Sequence, residues 1–361
     1  MTKPTTAYIG LGSNLGDRDS AIKDALVKLA ETEAIEVIRT SDVIETPSLG
    51  DKDQPAYLNC VAQISTSLSA EDLYKKMADI ENTLGRVRTE KWSPRIIDLD
   101  LLLFGTEVIT SKNLTVPHSQ MHLRSFVLEG LCQLDGQLVH PLVGTTVAEL
   151  AGRLNGADFM LDSNRPQLIS IAGVIGVGKT TLAAKLSELL GCKLLLEAYD
   201  TNPFLPQVYA GRKEMALDSQ LYFLTHRAEQ LDHSVLVSGK MAITDYIFDK
   251  ELIYARQLLD EQQLKLYNKI YPWFSEIAAL PVLVIYLIDS PQNCLRRIQK
   301  RNRPYERAVD ETFLEILRAG YEQLLSGWRY CPVIRIKVSD FDLTDDSNIR
   351  YLSKQIRAYV T

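Results

Sequence analysis

Residues 173–180 read Gly-Val-Ile-Gly-Val-Gly-Lys-Thr, the pattern of a phosphate-binding loop, and they lie in the middle of a chain of 361 residues. A strand-like run precedes this loop at 167–172, and a helix-like run follows it at 180–190. Glycines in such a loop let backbone N–H groups point at phosphate oxygens. The pattern predicts a nucleotide-binding domain that begins near residue 166, with a second domain of similar size before it.

The residue types within this loop each have a chemical role. Lys179 is expected to reach the β- and γ-phosphates, and the Thr180 hydroxyl is expected to bind Mg²⁺. A GTPase would need a guanine-reading Asn-Lys-x-Asp sequence, which is absent, so ATP and Mg²⁺ are the predicted cofactors. The expected nucleotide contacts come from Gly173, Gly176, Gly178, Lys179, Thr180 and Thr181.

The length and composition of the chain fit two globular domains that each bury a core. The residues are 46% hydrophobic and 24% charged, which is ordinary for globular protein. Residues 152–167 lose hydrophobic periodicity and gather Gly, Asn, Asp and Pro, so a linker is expected there. We therefore expect one domain over 1–160 and a second over 161–361.

Charge, cysteine spacing and hydropathy bound the cellular setting. The formal net charge of −6 argues against nucleic-acid and membrane-surface partners. The five cysteines lie far apart, as is typical of reduced thiols. No signal-peptide core is present, and the most apolar run, 278–288, is broken by Pro281 and too short to span a bilayer. A cytoplasmic protein is expected.

Periodicity predicts different fold classes for the two halves. The first half shows helical spacing at 17–32 and after Ser69, with strand-like runs around Ile9, 61–64 and 96–104. This mixture predicts an α+β sandwich with two helices on one sheet face. The second half alternates strands and helices, which predicts a parallel sheet wrapped by helices. Its expected strands are 168–172, 193–197, 240–244 and 281–288, and its expected helices are 180–190, 215–232, 251–270 and 291–301.

Two carboxylates mark the predicted strand near residue 100. Because side chains alternate along a strand, Asp98 and Asp100 project to one face while Leu99 and Leu101 turn inward. Two neighbouring carboxylates repel unless a cation lies between them, and hard oxygen ligands suit Mg²⁺ bridged to substrate phosphates. A strand with a solvated acidic face is the alternative that spacing alone leaves open.

Basic and aromatic residues near these carboxylates predict a polyphosphate and heterocycle site. Arg86, Arg88, Lys91 and Arg95 could neutralise a polyphosphate, although basic loop residues are often simply solvated. The segments 46–50 and 57–59 could line a flat heterocycle pocket, and taken alone they would equally pass as a turn and a core strand.

The first half resembles the hydroxymethyl-dihydropterin pyrophosphokinase family of folate biosynthesis over residues 5–160. The matching motifs are Gly12-Ser-Asn-Leu15, Glu45-Thr-Pro47, Asp53-Gln-Pro55, Tyr57-Leu-Asn59, Gly85-Arg-Val-Arg88, Trp92-Ser-Pro-Arg95, Asp98-Leu-Asp100 and Val116-Pro-His118. The resemblance implies a ferredoxin-like α+β fold. It also implies transfer of the β,γ-pyrophosphoryl group of ATP to the pterin hydroxymethyl oxygen, with release of AMP.

The same resemblance implies roles for individual residues. Asp98 and Asp100 would hold two Mg²⁺ ions, and Glu81 would lie near the catalytic loop. Phosphate contacts would come from Arg86, Arg88, Arg95, His118 and Arg124, of which Arg95 is expected to be catalytic. The pterin would lie among Thr46, Pro47, Leu49, Tyr57, Asn59 and Phe126. Two departures stand out: Ser119 follows Val-Pro-His where the family often has Tyr, and the loop between Arg88 and Trp92 is one residue short.

Polar residues after the phosphate-binding loop point to acceptor chemistry. A motor ATPase usually ends a strand with an acidic pair, whereas 243–245 offers only Asp245. Glu197 ends the second predicted strand, where a carboxylate could accept a proton from an attacking hydroxyl, and a structural cap is the alternative. A cluster of basic residues could form a lid over the phosphates or simply be solvated: Arg296, Arg297, Lys300, Arg301 and Arg303.

Residues 167–361 resemble the deoxynucleoside kinase family, an α/β P-loop kinase fold with a parallel sheet. The resemblance rests on Glu197, Asn202-Pro-Phe204, Tyr209, the helix 220–227, Asp245 and Arg301-Asn-Arg-Pro-Tyr-Glu306. It implies γ-phosphoryl transfer from ATP to a deoxynucleoside 5′-hydroxyl, with Glu197 as base and Arg301 and Arg303 over the phosphates. Substrate contacts would come from Tyr209, Gln220, Arg227, Asp245 and Glu306.

Three questions stay open after the sequence. Many family members carry Arg after the acidic residue, where this chain has Tyr246; a purine deoxynucleoside is favoured because some bacterial purine-preferring members share this feature. Kinases of this kind commonly pair through helices, so a homodimer through the C-terminal domain is expected. The alternatives to a bifunctional enzyme are a non-catalytic nucleotide-binding regulator, or a kinase for another small hydroxyl acceptor.

Overall fold

The computed structural model describes residues 4–49, 54–86 and 94–361, apart from the side chain of Tyr209. The chain divides into two compact units, Met1–Met160 and Leu161–Thr361. Neither unit, within the described residues, contains a helix long and apolar enough to cross a membrane.

Unit 1 is built on an antiparallel sheet in the order β2-β4-β1-β5, with β3 added beside β4. Its strands are β1 Thr5–Ser13, β2 Ile35–Thr40, β3 Ile44–Thr46, β4 Tyr57–Thr66, β5 Asp98–Phe104, β6 Ile109–Thr110 and β7 Thr115–Val116. Its helices are α1 Arg18–Ala30, α2 Ala70–Thr83, α3 Ser125–Asp135 and α4 Val147–Leu154, with a 3-10 turn at Met121–Leu123. This is the ferredoxin-like α+β arrangement that the sequence predicted.

The two predicted helices of unit 1 are present, and two more join them. Helix α2 begins where expected, because the Ser69 side chain accepts a hydrogen bond from the Asp72 N–H and caps the first turn. Helices α1 and α2 bury apolar residues against one sheet face, at Ile9, Leu11 and Ala62 among others. Helix α3 approaches the opposite face so closely that a Cβ on Gly130 would meet Val61 at 2.7 Å. The expectation of two helices on a single face was therefore incomplete.

Unit 2 is built on a parallel sheet in the order β12-β11-β8-β10-β9. Its strands are β8 Gln167–Ala172, β9 Lys193–Leu195, β10 Met241–Thr244, β11 Leu283–Ile288 and β12 Val333–Lys337. Its helices are α5 Lys179–Leu190, α6 Leu205–Tyr209, α7 Ala216–Leu231, α8 Lys250–Leu258, α9 Glu261–Ile277, α10 Pro291–Arg301, α11 Glu311–Ser326 and α12 Asp346–Arg357. Short 3-10 turns lie at Lys213–Met215 and Pro304–Glu306.

This strand order gathers the polar residues of unit 2 at one edge. Strand β8 is central, and the phosphate-binding loop leaves its carboxyl end. Glu197 follows β9 and Asp245 follows β10, so both lie beyond the carboxyl ends of neighbouring strands. In open parallel sheets this edge is where ligands bind.

The structure differs from the predicted elements of unit 2 at two places. The single helix expected over 251–270 is two helices, α8 and α9, because Asp260 and Gln263 form a capping box that starts a new helix. The strand expected over 193–197 ends at Leu195, which leaves Glu197 on the following loop.

Candidate active sites

A cleft of about 370 Å³ lies in unit 1 over the central strands and the loops that follow them. Its walls combine apolar and aromatic side chains with convergent charged groups. The predicted residues that line it are Thr46, Pro47, Leu49, Tyr57, Asn59, Arg95, Asp98, Asp100, His118, Arg124 and Phe126. Such a mixture is typical of a small-molecule site.

The two carboxylates of β5 are each held by arginines. Asp98 accepts from Arg86 at 2.7 Å and from Arg95 at 2.6 Å, and Asp100 lies 3.3 Å from Arg124. Asp98 and Asp100 are half-buried, whereas Leu99 and Leu101 are buried, so the predicted alternation of faces is confirmed. The cluster places alternating charges beside the cleft. Its arginines could pair with phosphate groups in place of the carboxylates. Arg88, which the sequence added to this set, lies outside the described residues.

The oxygen ligands of this cluster fit the magnesium ion that the sequence predicted. Mg²⁺ is bound in proteins by one or two carboxylates, with substrate phosphates and water as its other ligands. Asp98 and Asp100 share one strand face and supply two such carboxylates. Among the described residues, no group of three or more His, Cys, Asp or Glu side chains is placed to hold a metal ion.

Beneath the cluster, Glu81 and Asn14 fix the arginines. Glu81 is buried, pairs with Arg86 and accepts the Leu99 N–H at 2.7 Å. Burial raises the pKa of the Glu81 carboxyl to about 7, while the Leu99 N–H and Arg86 lower it. The Asn14 side chain accepts the Arg95 N–H at 2.7 Å and donates to a backbone carbonyl at Pro55. Asn14 belongs to a matched motif, but nothing in the sequence assigned it this role.

The opposite wall of the cleft suits a flat polar heterocycle. The Asn59 amide donates to the Thr46 hydroxyl at 2.8 Å, which orients a buried amide at the cleft wall. Tyr57 and Phe126 add aromatic surface.

His118 accepts the Gln120 N–H at Nδ1, and burial lowers the pKa of its imidazole. A neutral His118 can donate from Nε2 to a phosphate oxygen.

In unit 2 the phosphate-binding loop has the geometry that its glycines predict. Gly173 and Gly176 have φ values of +139° and +80°, and a Cβ on either would approach a backbone carbonyl oxygen within 2.7 Å. The Lys179 amino group donates to the Gly173 and Val174 carbonyls at 2.9 and 3.0 Å. A cleft of about 200 Å³ lies against the loop, lined by Ile175, Gly176, Gly178, Lys179, Thr180, Thr181, Tyr199, Arg297 and Arg301.

Asp245 connects the loop to the predicted base. One of its carboxylate oxygens accepts from the Thr180 hydroxyl at 2.6 Å, and the other accepts the Glu197 N–H at 2.9 Å. Its carboxylate thus fixes two groups. The sequence predicted a substrate contact for Asp245, and this residue is not among those that line the narrower cleft of unit 2. The geometry suits a carboxylate beside the metal site that the sequence predicted at Thr180.

A second, narrower cleft in unit 2 adjoins the cleft against the phosphate-binding loop and shares Ile175 and Tyr199 with it. It holds about 30 Å³ and is lined by Ile175, Glu197, Tyr199, Leu205, Gln220, Phe223, Arg227, Lys250, Glu251, Tyr254, Leu258, Tyr305 and Glu306. Gln220, Arg227 and Glu306, all expected to contact substrate, are brought together here and are buried. The Tyr209 side chain lies outside the described residues.

Glu197 is the centre of a buried charge network in this cleft. Its Oε1 atom pairs with both Arg227 and Lys250, and Arg227 also pairs with Glu251. Tyr267 donates its hydroxyl to Glu251 at 2.7 Å. Neither Lys250 nor Glu251 was predicted, since a buried lysine and glutamate at the start of a helix carry no local sequence signal. Glu251 pairs with Arg227 because α8 packs against α7, and Lys250 pairs with Glu197 on the loop after β9.

Arginines from α10 and the turn after it lie beside the two clefts of unit 2. Arg301 donates to Glu306 at 3.0 Å through Nε, and Arg303 lies 3.9 Å from Glu306. Arg297 donates to the Gly176 carbonyl at 3.2 Å, directly over the phosphate-binding loop. Arg301 and Arg303 are part-exposed, as residues that must reach an entering phosphate would be.

Protein-family models match the two units separately. The model of 7,8-dihydro-6-hydroxymethylpterin-pyrophosphokinase (HPPK) matches residues 8–136, and the model of deoxynucleoside kinase matches residues 169–361.

Individual relatives show the same division. The chain is 42% identical over 136 residues to 2-amino-4-hydroxy-6-hydroxymethyldihydropteridine pyrophosphokinase of Haemophilus influenzae, covering 38% of this chain and 85% of that protein. It is 37% identical over 162 residues to deoxyguanosine kinase of Bacillus subtilis, covering 44% of this chain and 78% of that protein. A match to folic acid synthesis protein fol1 of Pneumocystis carinii is 43% identical over 141 residues, 39% of this chain, but spans only 19% of that longer protein.

Among solved structures, deoxyadenosine kinase from M. mycoides aligns at 26% identity and a TM-score of 0.46. The alignment covers 53% of this chain and 98% of that structure.

Proposed function

The chain belongs to two families, to 7,8-dihydro-6-hydroxymethylpterin-pyrophosphokinase through residues 8–136 and to deoxynucleoside kinase through residues 169–361, and from this premise we propose how its two enzyme domains work. The proposed domains are 1–160 and 161–361, and ATP with Mg²⁺ serves both. The proposal rests on one observation: each unit carries its own cleft, with its own acidic, basic and phosphate-binding groups.

In the first reaction, ATP gives its β,γ-pyrophosphoryl group to the hydroxymethyl oxygen of the pterin. The new bond joins that oxygen to the β-phosphorus and the hydroxyl proton is lost to water, while the bond from the β-phosphorus to the α,β-bridging oxygen breaks and AMP leaves. Arg86, Arg95 and Arg124 lie at the carboxylate end of the cleft and would neutralise the phosphates. Magnesium bound at Asp98 and Asp100 would supply further charge neutralisation. Thr46, Asn59 and the aromatic wall would hold the heterocycle.

In the second reaction, ATP gives its γ-phosphoryl group to the 5′-hydroxyl of a deoxynucleoside. The hydroxyl proton passes to Glu197 as the O–P bond forms, and the bond to the β,γ-bridging oxygen breaks to release ADP. Lys179 and the loop amides would bind the phosphates, and Thr180 would hold Mg²⁺. Gln220 would bond the base edge, Tyr209 and Glu306 the 3′-hydroxyl, and Arg301 and Arg303 the transferring group.

We propose a purine deoxynucleoside as the acceptor. A deoxyguanosine kinase is among the relatives, at 37% identity, and Tyr246 replaces the arginine that many family members carry after the acidic residue. The buried Gln220 amide offers one donor and one acceptor to a base edge.

We also propose a cytoplasmic homodimer that forms through residues 161–361. Five unpaired cysteines support the reducing location.

Product analysis of ATP consumption tests both reactions at once. The full chain is incubated with Mg²⁺ and ATP, with hydroxymethyl-dihydropterin in one vessel and each of the four deoxynucleosides in others. AMP with the pterin, and ADP with one or both purine deoxynucleosides, is the expected result. ADP formation with a pyrimidine alone would contradict the purine preference. No ADP with any nucleoside would leave unit 2 as a nucleotide-binding regulator or a kinase for another acceptor.

A further inference from the structure

Lys250 is a buried cation in the acceptor cleft with no role in the reaction outlined above. It is the first residue of α8, only 2% exposed, and its amino group pairs with Glu197. The rings of Tyr199 and Tyr254 lie 5.8 and 5.1 Å from its nitrogen. Because an ammonium group loses much hydration when buried, a lysine so placed needs an anionic partner whenever it carries its charge.

The two oxygens of Glu197 have different surroundings. Oε1 pairs with both Arg227 and Lys250, while Oε2 is buried and has no hydrogen-bond partner among the described residues. A buried carboxylate oxygen without a partner is costly unless a ligand supplies one. Oε2 is therefore the oxygen that a substrate hydroxyl would reach, and the Lys250 amino group pairs with the other oxygen of the same carboxylate, Oε1.

Arg227 and Lys250 are held differently. Arg227 bridges two carboxylates, Glu197 and Glu251, so it keeps an anionic partner when Glu197 is protonated. Within the described part of the chain, Lys250 forms an ion pair with Glu197 alone.

We propose that Lys250 is a catalytic residue of the nucleoside-phosphorylating reaction. Its ammonium group would pair first with Glu197 and then with the transferred phosphoryl group. The inference rests on the proposed function of unit 2. When Glu197 takes the proton of the acceptor hydroxyl, its negative charge is lost, and the nearest new anion is the phosphoryl group bonding to that hydroxyl oxygen. Burial and the nearby Arg227 and Lys179 lower the pKa of the Lys250 amino group, whereas Asp245 raises it. An anionic partner, first Glu197 and then the phosphoryl group, favours the charged form of Lys250, and this partner changes at the moment of transfer. Such a cation stabilises the transition state more than the bound substrates.

Three variants of the full chain test this role by steady-state ADP formation. Lys250→Met keeps the length of the side chain without its charge, and kcat should fall roughly 10²- to 10³-fold, the effect of losing one transition-state donor. The KM for the deoxynucleoside should change less than about threefold, because the charge acts mainly during transfer. Lys250→Arg should recover at least about a tenth of wild-type kcat. Lys265→Met, at an exposed lysine on α9, is the control and should match the wild type.

A near-normal kcat in Lys250→Met, or a rise in KM with kcat unchanged, would overturn the role of Lys250. Equal losses in Lys250→Met and Lys250→Arg would also overturn it, since a shape-dependent structural role predicts that result. Pterin-dependent AMP formation by the same samples reports the concentration of intact unit 1, and denaturant titration reports whether unit 2 is folded. If Lys250→Met unfolds unit 2, Lys250→Gln carries the same expectation. Wild-type chain without ADP formation would contradict the proposed function itself, before any variant is compared.

Discussion

Single carboxylates in both units are bound by cations that a nucleotide would also attract. Asp98 lies between Arg86 and Arg95, and Glu197 lies between Arg227 and Lys250. Each cation is thus positioned before substrate arrives, which lowers the cost of organising it during the reaction. We propose different roles for the two carboxylates. Asp98 would offer oxygens to a metal, whereas Glu197 would accept a proton at Oε2, which has no hydrogen-bond partner among the described residues.

Asp98→Asn is expected to abolish pterin-dependent AMP formation, by about 10³-fold or more, because it removes a metal ligand and the anchor of two arginines. Deoxynucleoside-dependent ADP formation by the same sample should stay within twofold of wild type. Asp79→Asn, an exposed change on α2, is the matched control. Undiminished AMP formation in Asp98→Asn would remove this residue from the metal site.

The pH dependence of ATP use by unit 2 is expected to follow Lys179. Burial lowers the pKa of its amino group to about 8, with Arg301 acting in the same direction and Asp245, Cys294 and Glu306 opposing it. Only the protonated amine attracts phosphate, so kcat/KM for ATP in ADP formation should fall as pH rises above about 8, by at most tenfold per unit. Rates measured from pH 6.5 to 9.5 check this. A flat profile across pH 8 would show that Lys179 keeps its proton.

At the scale of elements, the turn from β8 into α5 determines whether unit 2 can bind phosphate. Its backbone passes through left-handed conformations that only glycine adopts without strain. At Gly176 a Cβ would also meet the Cys294 carbonyl oxygen at 2.6 Å, so the neighbouring helix α10 leaves no room for a side chain. The loop and α10 therefore constrain each other.

Gly176→Ala is expected to lower the free energy of unfolding of unit 2 by about 1–3 kcal/mol, through backbone strain and the carbonyl clash. ADP formation should be lost, while AMP formation stays near wild type. Gly327→Ala serves as the control, because its φ is −87° and a Cβ there would meet nothing within 3.8 Å. Denaturant titration and product analysis measure both effects. Normal ADP formation in Gly176→Ala would show that the loop can relax around a methyl group.

At the scale of the whole molecule, the two units each bury a separate core. One cluster centres on residues such as Ile9, Leu29 and Leu73, and another on residues such as Leu224, Tyr246 and Tyr267. Each of the clefts described above is lined by residues of one unit. Each unit should therefore respond to its own ligands.

Calorimetry of the full chain is expected to show two unfolding transitions with separate ligand responses. A deoxynucleoside at 100 times its Kd should stabilise unit 2 by about 2.7 kcal/mol and leave the other transition unchanged. A pterin with a non-hydrolysable ATP analogue should raise the unit 1 transition; because the analogue alone could act on both units, it is also tested without pterin. One transition that moves with either acceptor ligand would show that the units unfold together.

The sequence by itself determined the features that depend on neighbouring residues. Alternation along β5 placed Asp98 and Asp100 on one face, the glycine spacing of 173–178 predicted the phosphate-binding turn, and Ser69 predicted the start of α2. In each case the local backbone geometry follows from side-chain size, capping or period, with little help from the rest of the chain.

Only the tertiary structure decided which distant residues meet. Lys250 and Glu197 are 53 positions apart, and Asn14 and Arg95 are 81 apart; both pairs form because strand order and helix packing bring their elements together. The placement of α3 on the second sheet face was missed for the same reason. The break between α8 and α9 differs, because the Asp260 and Gln263 capping box is a local signal in the sequence. Strand order is chosen by the free energy of burying whole faces, to which every element contributes, so no local pattern contains it.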